Sequence, residues 1–255
     1  MKKLLMAFAL TAISAQAAYA NDALKTAIAG EQRTPANVTR DAARHPYETL
    51  QFFGVAAKST VVELAPGAGW YTEILAPYVR KDGKLILAGA SPRLKTRLDG
   101  TPAVYDKVAY GEFAPGKKID YAPKNSVDVV LTFRNVHNWI SASDTAAKEV
   151  FQSAFDTLKP GGVFGVVEHR LPASATQDAK ASSGYVHEAF VIKLAESVGF
   201  KLAAKSEINA NSKDTANHPG GVWALPPVLT NKETDKEKYL AIGESDRMTL
   251  KFVKP

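Results

Sequence analysis

The sequence predicts a doubly wound α/β fold, with a mostly parallel sheet of seven strands behind an N-terminal helical cap. Three observations carry this expectation. From Thr60 onward, short β-branched runs alternate with stretches of helical apolar spacing. The first run carries Glu63 near its end, then a Gly-rich turn, Ala65 to Gly69, and an amphipathic stretch follows directly. The chain has 255 residues, 45% hydrophobic and 23% charged, which suits one globular domain with an ample core.

The elements follow in order. Residues 22–29 read as a short helix. Thr34-Pro35 pairs an N-cap with proline at the first helical position and opens a helix to about Ala43. His45-Pro46 breaks it, and residues 47–53 form another helix that Gly54 closes. Residues 21–54 are thus a helical cap. Strands are predicted over 60–64, 84–88, 104–109, 127–133, 163–167, 200–208 and 248–253. Helices are predicted over 70–79, 91–98, 143–158 and 185–198, the third ended by Lys159-Pro160-Gly161-Gly162. Residues 210–246 break the rhythm and read as an ordered insertion between the last two strands, since Trp223 and Pro226-Pro227 favour packing. A connection of that length in a compact domain is usually functional or disordered.

Residues 1–20 have the form of an export signal. Lys2 and Lys3 precede an apolar run from Leu4 to Ile13, and Ala18-Tyr19-Ala20 fits the small-x-small cleavage rule. The mature protein is then a single domain, 21–255, in the periplasm or secreted. No later stretch has the uninterrupted apolar length of a membrane helix, so no stable insertion is expected after cleavage. The absence of cysteine excludes disulfides, thiolate metal sites, a cysteine nucleophile and a lipid-anchored terminus. The formal charge of +6 is scattered rather than gathered into a basic face with aromatics, so no nucleic-acid partner is expected. The five histidines, His45, His137, His169, His187 and His218, show no helical i, i+4 pair, and no metal is expected. The sequence names no oligomeric state.

The Gly-rich turn is the first candidate for binding. Glycines let a backbone approach a ligand, and the helix that follows offers free N–H groups. Gly67 and Gly69 stand in that turn, with Glu63 at the strand end. The fourth strand ends in Arg134, Asn135, His137, Asn138 and Trp139, a crowd of donors, acceptors and an aromatic. The fifth ends in Glu168-His169-Arg170. Alternation along a strand allows Glu168 with Arg170, or His169 alone, to face one site.

Glu63-Leu64-Ala65-Pro66-Gly67-Ala68-Gly69 resembles the first motif of class I S-adenosylmethionine-dependent methyltransferases. Ser126-Val127-Asp128-Val129-Val130-Leu131 resembles their fourth-strand motif, and Leu158-Lys159-Pro160-Gly161-Gly162-Val163 the turn before their fifth strand. The resemblance covers roughly residues 55–255. The segments from Phe133 to Trp139 and from Gly165 to Arg170 are similar to a narrower subgroup, methyltransferases predicted from sequence that carry signal peptides. The resemblance implies a methyltransferase-type Rossmann-like sheet and S-adenosylmethionine as cofactor. It implies that Gly67 and Gly69 approach the amino-acid part of the cofactor, with Glu63 nearby; Arg134 and Asn135, in the polar cluster that ends the fourth strand, are further expected cofactor contacts. It also implies an acidic residue at the end of the second strand for the ribose, where this chain has Leu87-Ala88-Gly89-Ala90-Ser91. Ser91 or a loop takes that place, or the cofactor binds weakly, or the pocket serves another ligand. The family's first glycine is Ala65 here.

The leading expectation is a methyltransferase acting on a small molecule, with His137 or Glu168 as the general base. Tyr47, Trp139, His169, Arg170 and Tyr185 are the expected substrate contacts. Two alternatives stay open: an exported, non-catalytic binding protein that retains this fold, and a hydrolase or lyase that uses His137 and Glu168 without a nucleotide.

Overall fold

The computed structural model describes residues 23–255; the expected signal segment, residues 1–20, lies outside them. Residues 23–28 form a first helical stretch, α1. The cap continues through α2 (Pro35–Val38), α3 (Asp41–Arg44) and α4 (Pro46–Phe53). One helix was expected over the second and third of these. The chain turns instead at Thr39-Arg40, and His45 adopts a left-handed conformation, φ 43°, that caps α3 and opens α4. Proline at the next position disfavours helix at His45, so the helix has to end there.

The sheet then builds through β1 (Thr60–Leu64), α5 (Thr72–Val79), β2 (Lys84–Ala88), α6 (Pro92–Asp99), α7 (Pro102–Tyr105), β3 (Ala109–Ala114) and β4 (Lys118–Asp120). It continues through β5 (Val127–Phe133), α8 (Val136–Ala142), α9 (Ala146–Thr157), β6 (Leu158–Leu171), β7 (Val186–His187), α10 (Glu188–Ser197) and β8 (Lys201–Ser206). A 3₁₀ turn (Gly221–Ala224), α11 (Lys236–Ile242) and β9 (Arg247–Val253) complete the chain. The strand order is β4-β3-β2-β1-β5-β6-β9-β8, with β7 pairing β6 off this path. β4 on β3, and β9 between β6 and β8, are antiparallel. The other pairings are parallel, so the sheet is doubly wound as expected, with nine strands rather than seven.

The chain runs outward from β1 to β4, then returns to the other side of β1 as β5. Connections therefore leave β1 and β5 in opposite directions, and a crevice opens beyond their carboxyl ends, where ligands of open α/β sheets bind. Apolar faces cover both sides. Val62, Leu64, Val130, Phe164 and Phe252 pack on one face with α9 and α10, while Val61, Leu85, Leu87, Val129 and Leu131 pack on the other with α5 and the cap. Burial on both faces explains why these strands read as near-continuous apolar runs.

Three differences from expectation have local causes. The third strand begins at Ala109, because Thr101-Pro102 starts a helical turn where residues 104–109 were expected to be extended. The Pro160-Gly161-Gly162 segment is not a turn between elements but an irregularity within β6, where the pairing with β5 shifts between Val127 and Val129 and Gly161 takes φ 78°. α8 was not among the predicted helices, and no local side chain caps its start. The fourth-strand motif is structural at its amino end: Asp128 accepts from the Thr60 backbone at 2.8 Å and pairs with Lys159 at 2.6 Å.

Two groups at the carboxyl end of β1 carry a cost, one of conformation and one of charge. Ala65 is held at φ 47° by bonds from its own N–H to Ala88 and from Asn135 to its carbonyl. An L-residue in the left-handed region carries a steric cost that glycine avoids. Ala65→Gly is expected to stabilise the protein by roughly 0.5–1 kcal/mol after glycine's extra unfolded-state entropy is subtracted. A thermal melt at or below the wild-type midpoint would contradict this. Glu63, buried at 2% exposure, accepts from Thr72 Oγ1 at 2.6 Å. Burial pushes its carboxyl up to about 8, against the opposing Thr72 bond. The folded protein therefore keeps the proton at neutral pH while the unfolded chain releases it. This group's contribution to stability is complete below the usual carboxylate range and is lost as pH rises from there through about 8. Glu63→Gln is expected to gain on the order of 4 kcal/mol over wild type at pH 8 and little at pH 4.5. Denaturant titrations at the two pH values check this; equal differences at both would refute it.

Candidate active site

Two cavities flank the switch point. The first, about 520 Å³, opens against Thr34, Asn37, Gly67, Ala68, Ser91 and Arg97. Gly67 takes φ 59°, and a Cβ there would meet no atom within 4 Å, so the loop presents bare backbone to open space. Gly69 differs. At φ 83° it holds a conformation that L side chains rarely adopt, and a Cβ there would press on the ends of the Leu94 and Arg97 side chains, so glycine is favoured by the backbone. Arg97 braces the loop by donating to the Ala68 carbonyl and to Glu73, each at 2.7 Å. Ser91 stands at the end of β2 as the N-cap of α6, its oxygen accepting from Leu94 N at 3.2 Å. Its hydroxyl hydrogen remains available as a donor. Glu73, the carboxylate lining this cavity, is consumed by Thr34, Asn37 and Arg97.

A cofactor of nucleoside size fits this cavity and this glycine loop. Its ribose would meet the neutral Ser91 hydroxyl in place of a carboxylate, which forfeits a charge-assisted bond. Glu63 is not exposed to the cavity but turned into the core toward α5.

The second cavity, about 310 Å³, lies over the ends of β5 and β6. Arg134, His137 and His169 line it, as do Arg40 and Arg44 from the cap and Trp223 beyond β8. Glu168, fully buried, lies behind His137 and His169. One carboxylate oxygen accepts from Val136 N at 2.6 Å and His137 N at 3.3 Å. The other accepts from His137 Nδ1 at 3.0 Å and His169 N at 2.7 Å. A carboxylate acceptor fixes the proton of neutral His137 on Nδ1 and leaves Nε2 bare. His169 contacts Ser245 Oγ through Nδ1 at 2.6 Å, and its ring centre lies 5.5 Å from that of His137. Burial, then the charges of His137 and Arg134, hold its pKa well below the usual histidine value. Arg134 is a non-glycine residue at φ 62°, the kind of backbone strain that gathers at functional sites.

The structure groups Glu168 with His169, where alternation suggested Glu168 with Arg170. The reason is topological. β5 ends opposite Val167 and β7 begins pairing only at Arg170, so one edge of β6 is open between them. The loop from Arg134 to His137 folds across that gap and meets side chains from both faces; Arg134 N donates to Val167 O at 2.7 Å. Arg170 turns away into a network with Asp246 and Glu207.

Several expected contacts stand elsewhere. Tyr185 is buried behind His169 with its hydroxyl on Asp214 at 2.9 Å. Trp139 is packed edge-on against Phe113. Tyr47 packs in the cap beside Lys25. Asn135 lines neither cavity; its amide donates to the carbonyls of Leu64 and Ala65 and to Thr132. Arg40, Arg44, Glu244 and Ser245 were not anticipated. Their one sequence signal is the i, i+4 arginine pair just before His45-Pro46.

His137, Glu168 and His169 bring donor atoms within 4.8 Å of one another, a grouping that could hold a metal and that the histidine spacing did not suggest. Both Glu168 oxygens already accept two hydrogen bonds, and the neighbouring arginines oppose a cation.

No protein-family model and no curated protein matches the sequence. Solved structures do match. A SAM-dependent methyltransferase from Aquifex aeolicus is 17% identical, with a TM-score of 0.55 over 67% of this chain and 87% of its own. An S-adenosylmethionine-dependent methyltransferase from Mesorhizobium loti is 14% identical, with a TM-score of 0.51 over 84% and 98%. The [4+2]-cyclase SpnF is 12% identical, with a TM-score of 0.61 over 94% and 95%. The chain has the mixed α/β, Rossmann-like fold of these methyltransferases.

Proposed function

We propose that this protein is an exported S-adenosylmethionine-dependent methyltransferase acting on a small molecule. The observation that carries the reading is the pair of cavities about the switch point, one against the glycine loop and one over a histidine with a bare nitrogen. Gly67, Ala68 and Ser91 would hold the cofactor in the first. S-adenosylmethionine, when bound, supplies an electrophilic methyl group. The second cavity would hold the acceptor. His137 Nε2 accepts the proton of an acceptor hydroxyl or amine, while Glu168 keeps the ring oriented and stabilises the imidazolium. Trp223, edge-on to His137 at 5.9 Å, excludes water from one side. Holding acceptor and methyl in line supplies much of the rate in such a transfer.

Titration calorimetry with S-adenosylmethionine tests the cofactor half. Heat of binding is expected, and Gly67→Arg is expected to abolish it by filling the space beside the loop. No heat at millimolar cofactor would sink the reading. The proton-acceptor half is tested without knowing the acceptor. Nitrogen NMR is expected to find neutral His137 in the Nδ1–H form, with Glu168→Gln shifting it toward Nε2–H. A wild-type protein already in the Nε2–H form would remove His137 as the base.

A further inference from the structure

Four guanidinium groups meet at one carboxylate beside the second cavity. Glu244 accepts from Arg40 Nε at 2.6 Å, Arg247 Nη1 at 3.0 Å and Arg44 Nε at 3.2 Å, with Arg134 Nη1 at 4.0 Å. These charges are not at the surface. Arg44 and Arg247 keep 2% and 4% of their side chains exposed, and Glu244 10%. Glu168 is the other carboxylate near the cavity, and its oxygens are spent on loop and histidine donors. Four cations against these two anions leave a formal excess of +2 before either histidine takes a proton.

Such an excess is costly away from water unless an anion completes it. Its effect is visible on the groups themselves. Burial, with Arg134 adding to it, pushes the Arg44 guanidinium down to about 8, and burial, with Arg247 adding to it, lowers Arg134 to about 10. The donors are also incompletely used. Arg44 Nη1 and Arg247 Nε are buried without a hydrogen-bond partner. Arg40 and Arg134 each keep 24% of their side chains exposed, and with Arg44 they line the cavity directly. The lining also includes an apolar run, Val222, Trp223, Leu225, Pro226 and Pro227.

We propose that this cavity binds a small organic oxyanion, with its carboxylate or phosphate head on Arg40, Arg44 and Arg134 and its apolar body against Trp223 and the two prolines. Guanidinium forks match the planar oxygens of a carboxylate and the edge of a phosphate, and they do so more specifically than lysine. An anion here pairs the unmatched charge and leaves the apolar body within reach of His137. The anion site stands on the arginines alone; that the oxyanion is the methyl acceptor rests on the function proposed above.

Benzoate and phenyl phosphate serve as the two probes, with benzamide as the uncharged control, in a buffer free of both oxyanions. Binding is read from calorimetry, with tryptophan fluorescence as a second signal, on the purified protein. At least one anion is expected to bind about tenfold or more tighter than benzamide, and the stronger arm identifies the head group. Arg40→Gln and Arg134→Gln, at half-buried positions, are each expected to weaken that anion by about tenfold. Thermal melts confirm that the variants fold, a control that Arg44→Gln alone would not provide. Equal affinity for benzamide, unchanged affinity in both variants, or no binding by either anion overturns the proposal. S-adenosylmethionine titrated into the same samples separates the two claims. Cofactor binding without anion binding sinks this inference alone, and anion binding without cofactor binding sinks the methyltransferase reading alone.

Discussion

The Glu168 carboxylate is the constraint on which the site depends. A buried carboxylate without partners is prohibitively costly. Here both oxygens are satisfied by four N–H donors, three of them from Val136 and His137. That demand draws the start of α8 across the open edge of β6, and the free N–H groups at the start of α8 favour the negative charge in return. The tautomer of His137, the left-handed turn at Arg134 and the shape of the second cavity all follow from where this one side chain lies. A carboxylate that orders three backbone amides and a ring is a positioning device, even though the sequence presents it as a candidate base.

A second electrostatic centre closes the site from above. Glu244, just before β9, is bonded to Arg40 and Arg44, some 200 positions earlier in the chain. The cap is therefore clamped to the sheet by charge as well as by packing. Trp70 adds to the clamp: its ring lies between the guanidinium groups of Arg33 and Arg44, 4.9 and 4.7 Å away, and its indole N–H donates to Asn37 O. Arg44 thus serves as a packing surface, an ion-pair partner and a wall of the cavity. The arrangement holds the cap in one place at the cost of an unbalanced positive charge, and that imbalance gives the cavity its chemical preference.

The sheet was legible because its strands are short, β-branched and buried on both faces; β1, β2 and β5 fall at the predicted residues. The glycine loop was legible because only particular backbone angles connect such a strand to such a helix. What escaped depended on distant partners. α8 has no local cap because Glu168, thirty residues on, takes its N–H groups. β4 is three residues of edge strand, too short to carry a period. The grouping of His169 with Glu168 depends on β5 ending one residue before the loop, a fact of register rather than of residue type. The arginine cluster joins residues from the cap, the β5 loop and the start of β9, and no window along the chain contains more than two of them.

Asn135 shows how these separate devices become one site. It touches neither cavity, yet its amide reaches the carbonyls of Leu64 and Ala65 on one side and Thr132 on the other. Leu64 and Ala65 are the root of the glycine loop, and Arg134 and His137, its neighbours in the chain, line the second cavity. One side chain therefore ties the two crevice walls together across the switch point between β1 and β5. Transfer between two bound molecules needs a fixed separation and direction, because an error of an ångström costs orders of magnitude in rate. In the proposed methyl transfer that fixity does not reside in the residues that line the cavities. It resides in Asn135 and Glu168, which spend their polar groups on backbone and so set where the loop, the histidine and the arginines face.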